Sequence, residues 1–144
     1  MTTRVRAIRI IFRKFSEGIY MLTLSVMPAI LAIVQLPKNS AVPHWAIEEQ
    51  DFFSVTKTRD ELSIVCLEWK VPEGVKVEKG WRCLKVEGPL DFSLTGILSS
   101  LAQPLSAASI SIFAISTFDT DYLLIKKENL QKALEVLGSF CKIL

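Results

Sequence analysis

The residues best able to do chemistry are crowded into one short stretch, Ser116-Thr-Phe-Asp-Thr-Asp121. Asp119 and Asp121 carry carboxylates two positions apart, and Ser116, Thr117 and Thr120 bring hydroxyls between and beside them. Such a set could take an ammonium group. Backbone amides near Gly88, or at the start of a helix over 93–107, could take a carboxylate, because glycine allows close approach and a helix amino end carries partial positive charge. The complementary ligand is a zwitterion, with charge-assisted hydrogen bonds worth roughly 1.5–3 kcal/mol each. The same short side chains would serve equally to close their own turn. Gly88-Pro89 reads as a plain turn as readily as a ligand clamp. Phe118, a large aromatic within this polar reversal, would pack over a ligand or a partner subunit, or else cover its own core.

Little else suggests a reaction. His44 is the single histidine and stands beside Trp45 in a short helical pattern, where a surface or capping role is the simpler account. Cys66, Cys83 and Cys141 are far apart, odd in number and without CxxC spacing, which reads as three unpaired buried thiols in a reducing cytoplasm. No HExxH, GxGxxG or GxxxxGK[ST] occurs, so no catalytic set, metal site or cofactor is expected. Glu48, Glu49 and Asp51 read as a solvated face.

The elements that must position the acidic stretch follow from hydrophobic periodicity. Apolar alternation through Ile110, Ile112 and Ile115, returning as Tyr122–Ile125, makes Ile110–Lys126 a hairpin whose bend is the polar stretch. Phe53–Val65 lies over Phe113–Ile125 at an offset of sixty, so one hairpin is used twice and the chain reads as two copies of a small α/β unit. Around the hairpins, Leu22–Met27 and 29–36 read as strands. A short helix follows from His44 to about Gln50, then hairpin strands at 52–58 and 61–67. Trp69–Lys79 reads as a polar connector and Trp81–Val86 as a strand. A helix over about 93–107 has Ser93 as cap and a bend at Pro104, and a second helix over about 128–137 stops at Gly138.

At 144 residues the chain can hold a substantial core, and half of its residues are hydrophobic. The net charge of +2 is unevenly placed. Residues 1–20 hold five basic residues (Arg4, Arg6, Arg9, Arg13, Lys14) against Glu17, a local +4, which leaves 21–144 at −2. No nucleic-acid footprint is expected from that remainder. Within 1–20, Val5, Ile8, Phe12, Phe15 and Ile19 fall at helical spacing opposite the arginines. This basic amphipathic helix would suit an anionic membrane or a targeting role; the alternative is a tail with no role, with Met21 as the natural beginning. Ile19–Leu36 is uncharged, but Thr23 and Ser25 alternate with Leu22, Leu24 and Val26, and Pro28 breaks the run. Two buried strands fit it better than a membrane span.

The run Trp81-Arg-Cys-Leu-Lys-Val-Glu-Gly-Pro-Leu-Asp-Phe-Ser-Leu-Thr-Gly-Ile-Leu98, with Ile110–Ile125 after it, closely resembles the ACT-domain family. The branch is that of small bacterial proteins built from two ACT-like units and related to the ACT modules of the CASTOR arginine sensors. The resemblance covers about residues 21–140. It implies an α+β, ferredoxin-like βαββαβ fold in two tandem units packed side by side. The expected divisions are a basic extension at 1–20, a degenerate ACT-like unit at 21–80 and an ACT domain at 81–144. It also implies a cytoplasmic, non-catalytic regulatory or sensor protein, pairing as a homodimer and binding an amino acid at an inter-unit interface. By position the site would comprise Glu87, Gly88, Pro89, Leu90 and Asp91 with Ser116, Thr117, Phe118, Asp119, Thr120 and Asp121. The rivals are an interaction module without a ligand and, less favoured, a catalytic accessory.

Overall fold

A computed structural model describes residues 22–90 and 96–144. The amphipathic stretch 1–20, Asp91 and Ser93 lie outside the described residues. The chain forms two compact units: residues up to Met27 join Cys83–Leu144 in one, here the C-terminal unit, and Pro28–Arg82 form the other, the N-terminal unit.

The N-terminal unit runs β2 (Leu31–Leu36), α1 (His44–Ile47), β3 (Ser54–Lys57), β4 (Leu62–Leu67), a 3-10 turn at Glu68–Lys70, and the first part of β5 (Lys76–Val86). Its antiparallel strands lie in the order β3-β4-β2-β5. That is a ferredoxin-like order in which one helix has shrunk to four residues and the other to a single turn. Val34, Ala46, Leu62, Ile64 and Cys66 form its core.

The C-terminal unit runs from the end of β5 through α2 (Ile97–Ala107), β6 (Ile112–Ser116), β7 (Asp121–Lys126), α3 (Leu130–Gly138) and β8 (Cys141–Ile143). This is a full βαββαβ series with one addition. Strand β1 (Leu22–Val26) inserts between its first and last strands, antiparallel to β5 and parallel to β8, giving the order β6-β7-β5-β1-β8. Leu24, Leu84, Val86, Leu123 and Ile125 from the strands meet Ile97, Leu101, Leu105, Ala133 and Leu137 from the helices in one apolar core. The helical spacing of the latter set is what made both helices readable.

Four sequence expectations need revision. Leu22–Val26 does not group with residues up to 80, because its backbone partners are Leu84–Val86 and Cys141–Ile143. Strand β5 begins at Lys76 inside the expected connector: Lys76, Glu78 and Lys79 are exposed while Val77 pairs with Val34, and the register with β2 shifts between Glu78 and Trp81. The three-residue β8 was too short to show a pattern. The repeat is also one residue shorter than sixty. Thr117 donates its N–H to the Thr120 carbonyl at 2.8 Å as Thr58 does to that of Glu61 at 2.9 Å, so Thr117 answers to Thr58. The buried triplets Ile64–Cys66 and Leu123–Ile125 obey this shorter offset.

All three cysteines are buried free thiols. Loss of solvation pushes Cys83 up to about 12 and Cys66 and Cys141 up to about 11. A thiol whose folded pKa is raised stabilises the fold fully below its unfolded value of about 8.5 and loses that contribution as pH climbs through the folded value. The urea midpoint is therefore expected to hold steady from pH 7 to 8 and to fall between about pH 9 and 11. A midpoint that rises over that upper window would contradict the burial of these thiols.

Candidate functional site

The acidic stretch is the β6–β7 bend. Ser116 pairs with Asp121 at the last rung of the ladder, and Thr117-Phe-Asp-Thr120 turns the chain. Thr117 closes the turn twice, with its backbone N–H and with its Oγ1 (3.1 Å), both donating to the Thr120 carbonyl. Thr120 is 4% exposed, and its hydroxyl donates to the Val86 carbonyl at 2.5 Å. That bond ties the bend to the end of β5, where the Glu87–Leu90 loop begins.

The loop is held against the bend by its own backbone. The Leu90 N–H donates to the Asp119 carbonyl at 2.7 Å. Gly88 lies beneath this bond: a Cβ there would sit 3.0 Å from the Leu90 nitrogen, 3.1 Å from the Asp119 oxygen and 3.3 Å from Thr120 Cβ. Its value is the absence of a side chain between two backbones. The Gly88–Pro89 peptide is cis.

Between loop, bend and the amino end of α2 lies a cavity of about 250 Å³, lined by Leu90, Gly96, Ile97, Leu98 and Ser116–Asp121. It is slightly below the usual range for drug-sized ligands and suits a small metabolite. Of the expected site residues, Leu90 and all six of Ser116–Asp121 are brought together here. Gly88 supports the cleft from below. Pro89 is not among the lining residues. The Glu87 carboxylate accepts from the Ser25 hydroxyl and lies 3.9 Å from the Lys85 ammonium, so it is turned toward the strands.

Gly96, Ile97 and Leu98 are the lining residues not named in advance. Gly96 sits at the N-cap in the left-handed region (φ 83°), where a β-carbon is disfavoured, and starts α2 beside the bend. The sequence signal was there, a glycine directly before an apolar helical run. The helix then continues through Pro104 to Ala107 without a break.

The two carboxylates differ. Asp121 Oδ1 accepts from Ser116 Oγ at 2.6 Å, which fixes it to its own hairpin. No hydrogen bond or ion pair engages the Asp119 carboxylate among the described residues, so its charge is available at the cavity. Phe118 is 79% exposed at the rim, which removes the reading that it covers its own core. Chemically the cleft offers one open carboxylate, a second held in place, hydroxyls and a helix amino end. Among the described residues, no group of three His, Cys, Asp or Glu side chains could hold a metal ion, and no helix is long and apolar enough to cross a membrane.

Comparison with known proteins agrees with this fold. An ACT-domain family model matches residues 76–139, and a separate model of an N-terminal domain matches 30–74. The human cytosolic arginine sensor for mTORC1 subunit 1 is 41% identical over 58 residues, which is 40% of this chain and 18% of the sensor. The chain thus matches less than a fifth of that relative's length. Protein Atu0741 from Agobacterium tumefaciens superposes with a TM-score of 0.81 at 40% identity, covering 87% of this chain and 93% of that one. The regulatory subunit of aspartate kinase from Thermus thermophilus shares the fold, with a TM-score of 0.58 at 11% identity over 83% of this chain and 98% of that one. A complete βαββαβ unit, a matching domain model and a bacterial relative alike over nearly its whole length place this chain in the ACT-domain family, related to the ACT modules of the arginine sensor.

Proposed function

We propose that the chain is a non-catalytic regulatory protein that binds a free amino acid in the cleft between Leu90, Gly96–Leu98 and Ser116–Asp121. The supporting observation is the Asp119 carboxylate, open at a small cavity that the amino end of α2 also lines. Asp119 takes the ammonium, with Asp121 beside it. The α2 amino end takes the carboxylate, and Phe118 closes the rim. A second copy of the chain would cover Phe118 and shield these charges from water, so a homodimer is the assembly this reading carries. The protein named a cytosolic arginine sensor supports both the ligand class and a cytoplasmic site of action.

The test is a thermal-shift screen against the twenty amino acids. A ligand at a hundred times its Kd adds about 2.7 kcal/mol, which for a chain of this size raises the midpoint by roughly 5–10 °C. Asp119→Asn is expected to abolish that shift while leaving the unliganded midpoint within about 1 °C, as exposed positions do. Asp121→Asn is expected to weaken it, since that carboxylate is shared with Ser116. A shift that persists in both variants removes the assigned roles. A screen with no hit turns attention to the exposed Phe118 as a protein contact, and the chain to an interaction module.

A further inference from the structure

The N-terminal unit has a cleft in the place that corresponds to the one just described. In both units, the loop after the first strand meets the turn between the second and third. In the N-terminal unit these are Lys38 and Asn39 after β2, and Lys57, Thr58 and Arg59 at the β3–β4 turn. Together they line a cavity of about 670 Å³. The backbone frame is the same, because Thr58 and Glu61 are bonded as Thr117 and Thr120 are. The side chains differ in charge: Lys57 stands where Ser116 does, Arg59 where Phe118 does and Leu62 where Asp121 does, while Asp60, the counterpart of Asp119, is not among the lining residues.

Three cations thus surround one concavity with no carboxylate among the lining residues. The adjacent acids are placed otherwise. Glu61 accepts from Gln35 Nε2 at 3.0 Å, on the strand side of the turn, and Asp60 follows Arg59 outside the lining. Lys38, Lys57 and Arg59 make no ion pair among the described residues. Like charges lining one concavity repel, and a bound anion relieves the repulsion. Arg59 supplies a planar fork suited to phosphate oxygens, the lysines supply point charges, and the Asn39 amide adds neutral donors. We propose that the N-terminal unit binds a small phosphate-bearing polyanion in this cleft, separately from the ligand of the C-terminal unit. Sequence reading missed the patch because its residues come from segments nineteen positions apart, diluted by the acids between them.

The test uses the full chain, with pyrophosphate as probe, followed by calorimetry at low salt and against chloride at matched ionic strength. Saturable binding to the wild-type chain is expected, weakened at least tenfold in Lys57→Gln/Arg59→Gln and less in Lys38→Gln, with thermal midpoints unchanged without probe. Lys127→Gln, an exposed cation of the other unit, is expected to bind as wild type does. Absence of saturable binding overturns the proposal. So does undiminished binding in the double variant, which would assign the anion to the basic residues of the 1–20 segment. The amino-acid screen and the Asp119 variant read the other cleft, so either proposal can fail alone.

Discussion

Replacing Leu24 with aspartate is expected to unfold the C-terminal unit or to lower its melting midpoint by more than about 10 °C. Leu24 is wholly buried in the core of that unit, on a strand with neighbours on both sides. The substitution removes apolar contacts and leaves a carboxylate in a core that is apolar throughout among the described residues. Leu24→Ala isolates the packing part and is expected to cost about 2–5 kcal/mol. The aspartate adds the desolvation of an unpaired polar group, which brings the total into the range of a small protein's whole stability, about 5–15 kcal/mol. Circular dichroism melts of the two variants check this. An aspartate variant melting within about 3 °C of wild type would contradict the position of β1 between β5 and β8.

A side chain at Gly88 is expected to abolish amino-acid binding. The tight approaches at its missing Cβ are to backbone atoms of Leu90 and Asp119, which cannot swing aside as a flexible side-chain end would. Gly88→Val must therefore part the loop from the bend, breaking the Leu90 N–H bond to Asp119 and shifting the carboxylate that faces the cavity. Overpacking of this kind costs about 1–3 kcal/mol, a midpoint drop of roughly 3–10 °C, and the ligand-induced shift should vanish. Gly138→Ala is the internal contrast. It lies in α3 with nothing within 4 Å of the added carbon, so helix propensity alone acts, and the midpoint is expected to rise by the equivalent of about 0.5–1 kcal/mol. Retention of ligand response in Gly88→Val would separate the loop from the site.

The parts of the molecule that were legible in the sequence are those with local causes. The β6–β7 bend announced itself because Ser, Thr and Asp satisfy turn backbone with their own oxygens, and Leu101, Leu105, Ala133 and Leu137 recur at helical spacing. The repeat was visible, yet aligning like side chains slipped it by one residue. Turn closure by Thr58 and Thr117 sets the register, and that lies in backbone bonds. The partners of β1 were not legible, since strands many residues apart must be matched by packing. The early start of β5 was masked by lysines and a glutamate that face solvent from a paired strand. Within the cleft the bend was foreseen, whereas the helix amino end was expected at Ser93 and α2 instead starts at Ile97 with Gly96 as its cap. That Glu87 turns away to Ser25 and Lys85 depends on a strand placed beside it from elsewhere in the chain.

The insertion of β1 sets a timetable for biosynthesis. Leu22, Leu24 and Val26 leave the ribosome before most of the chain, while Cys141–Ile143, which complete their second flank, follow about 115 residues later. At typical translation rates that is a wait of roughly 6–25 s with an apolar segment unsheltered. Pro28–Arg82 is contiguous and can fold meanwhile, so the nascent chain passes through a stage in which one half is finished and the other is a loose, sticky strand awaiting its last neighbour.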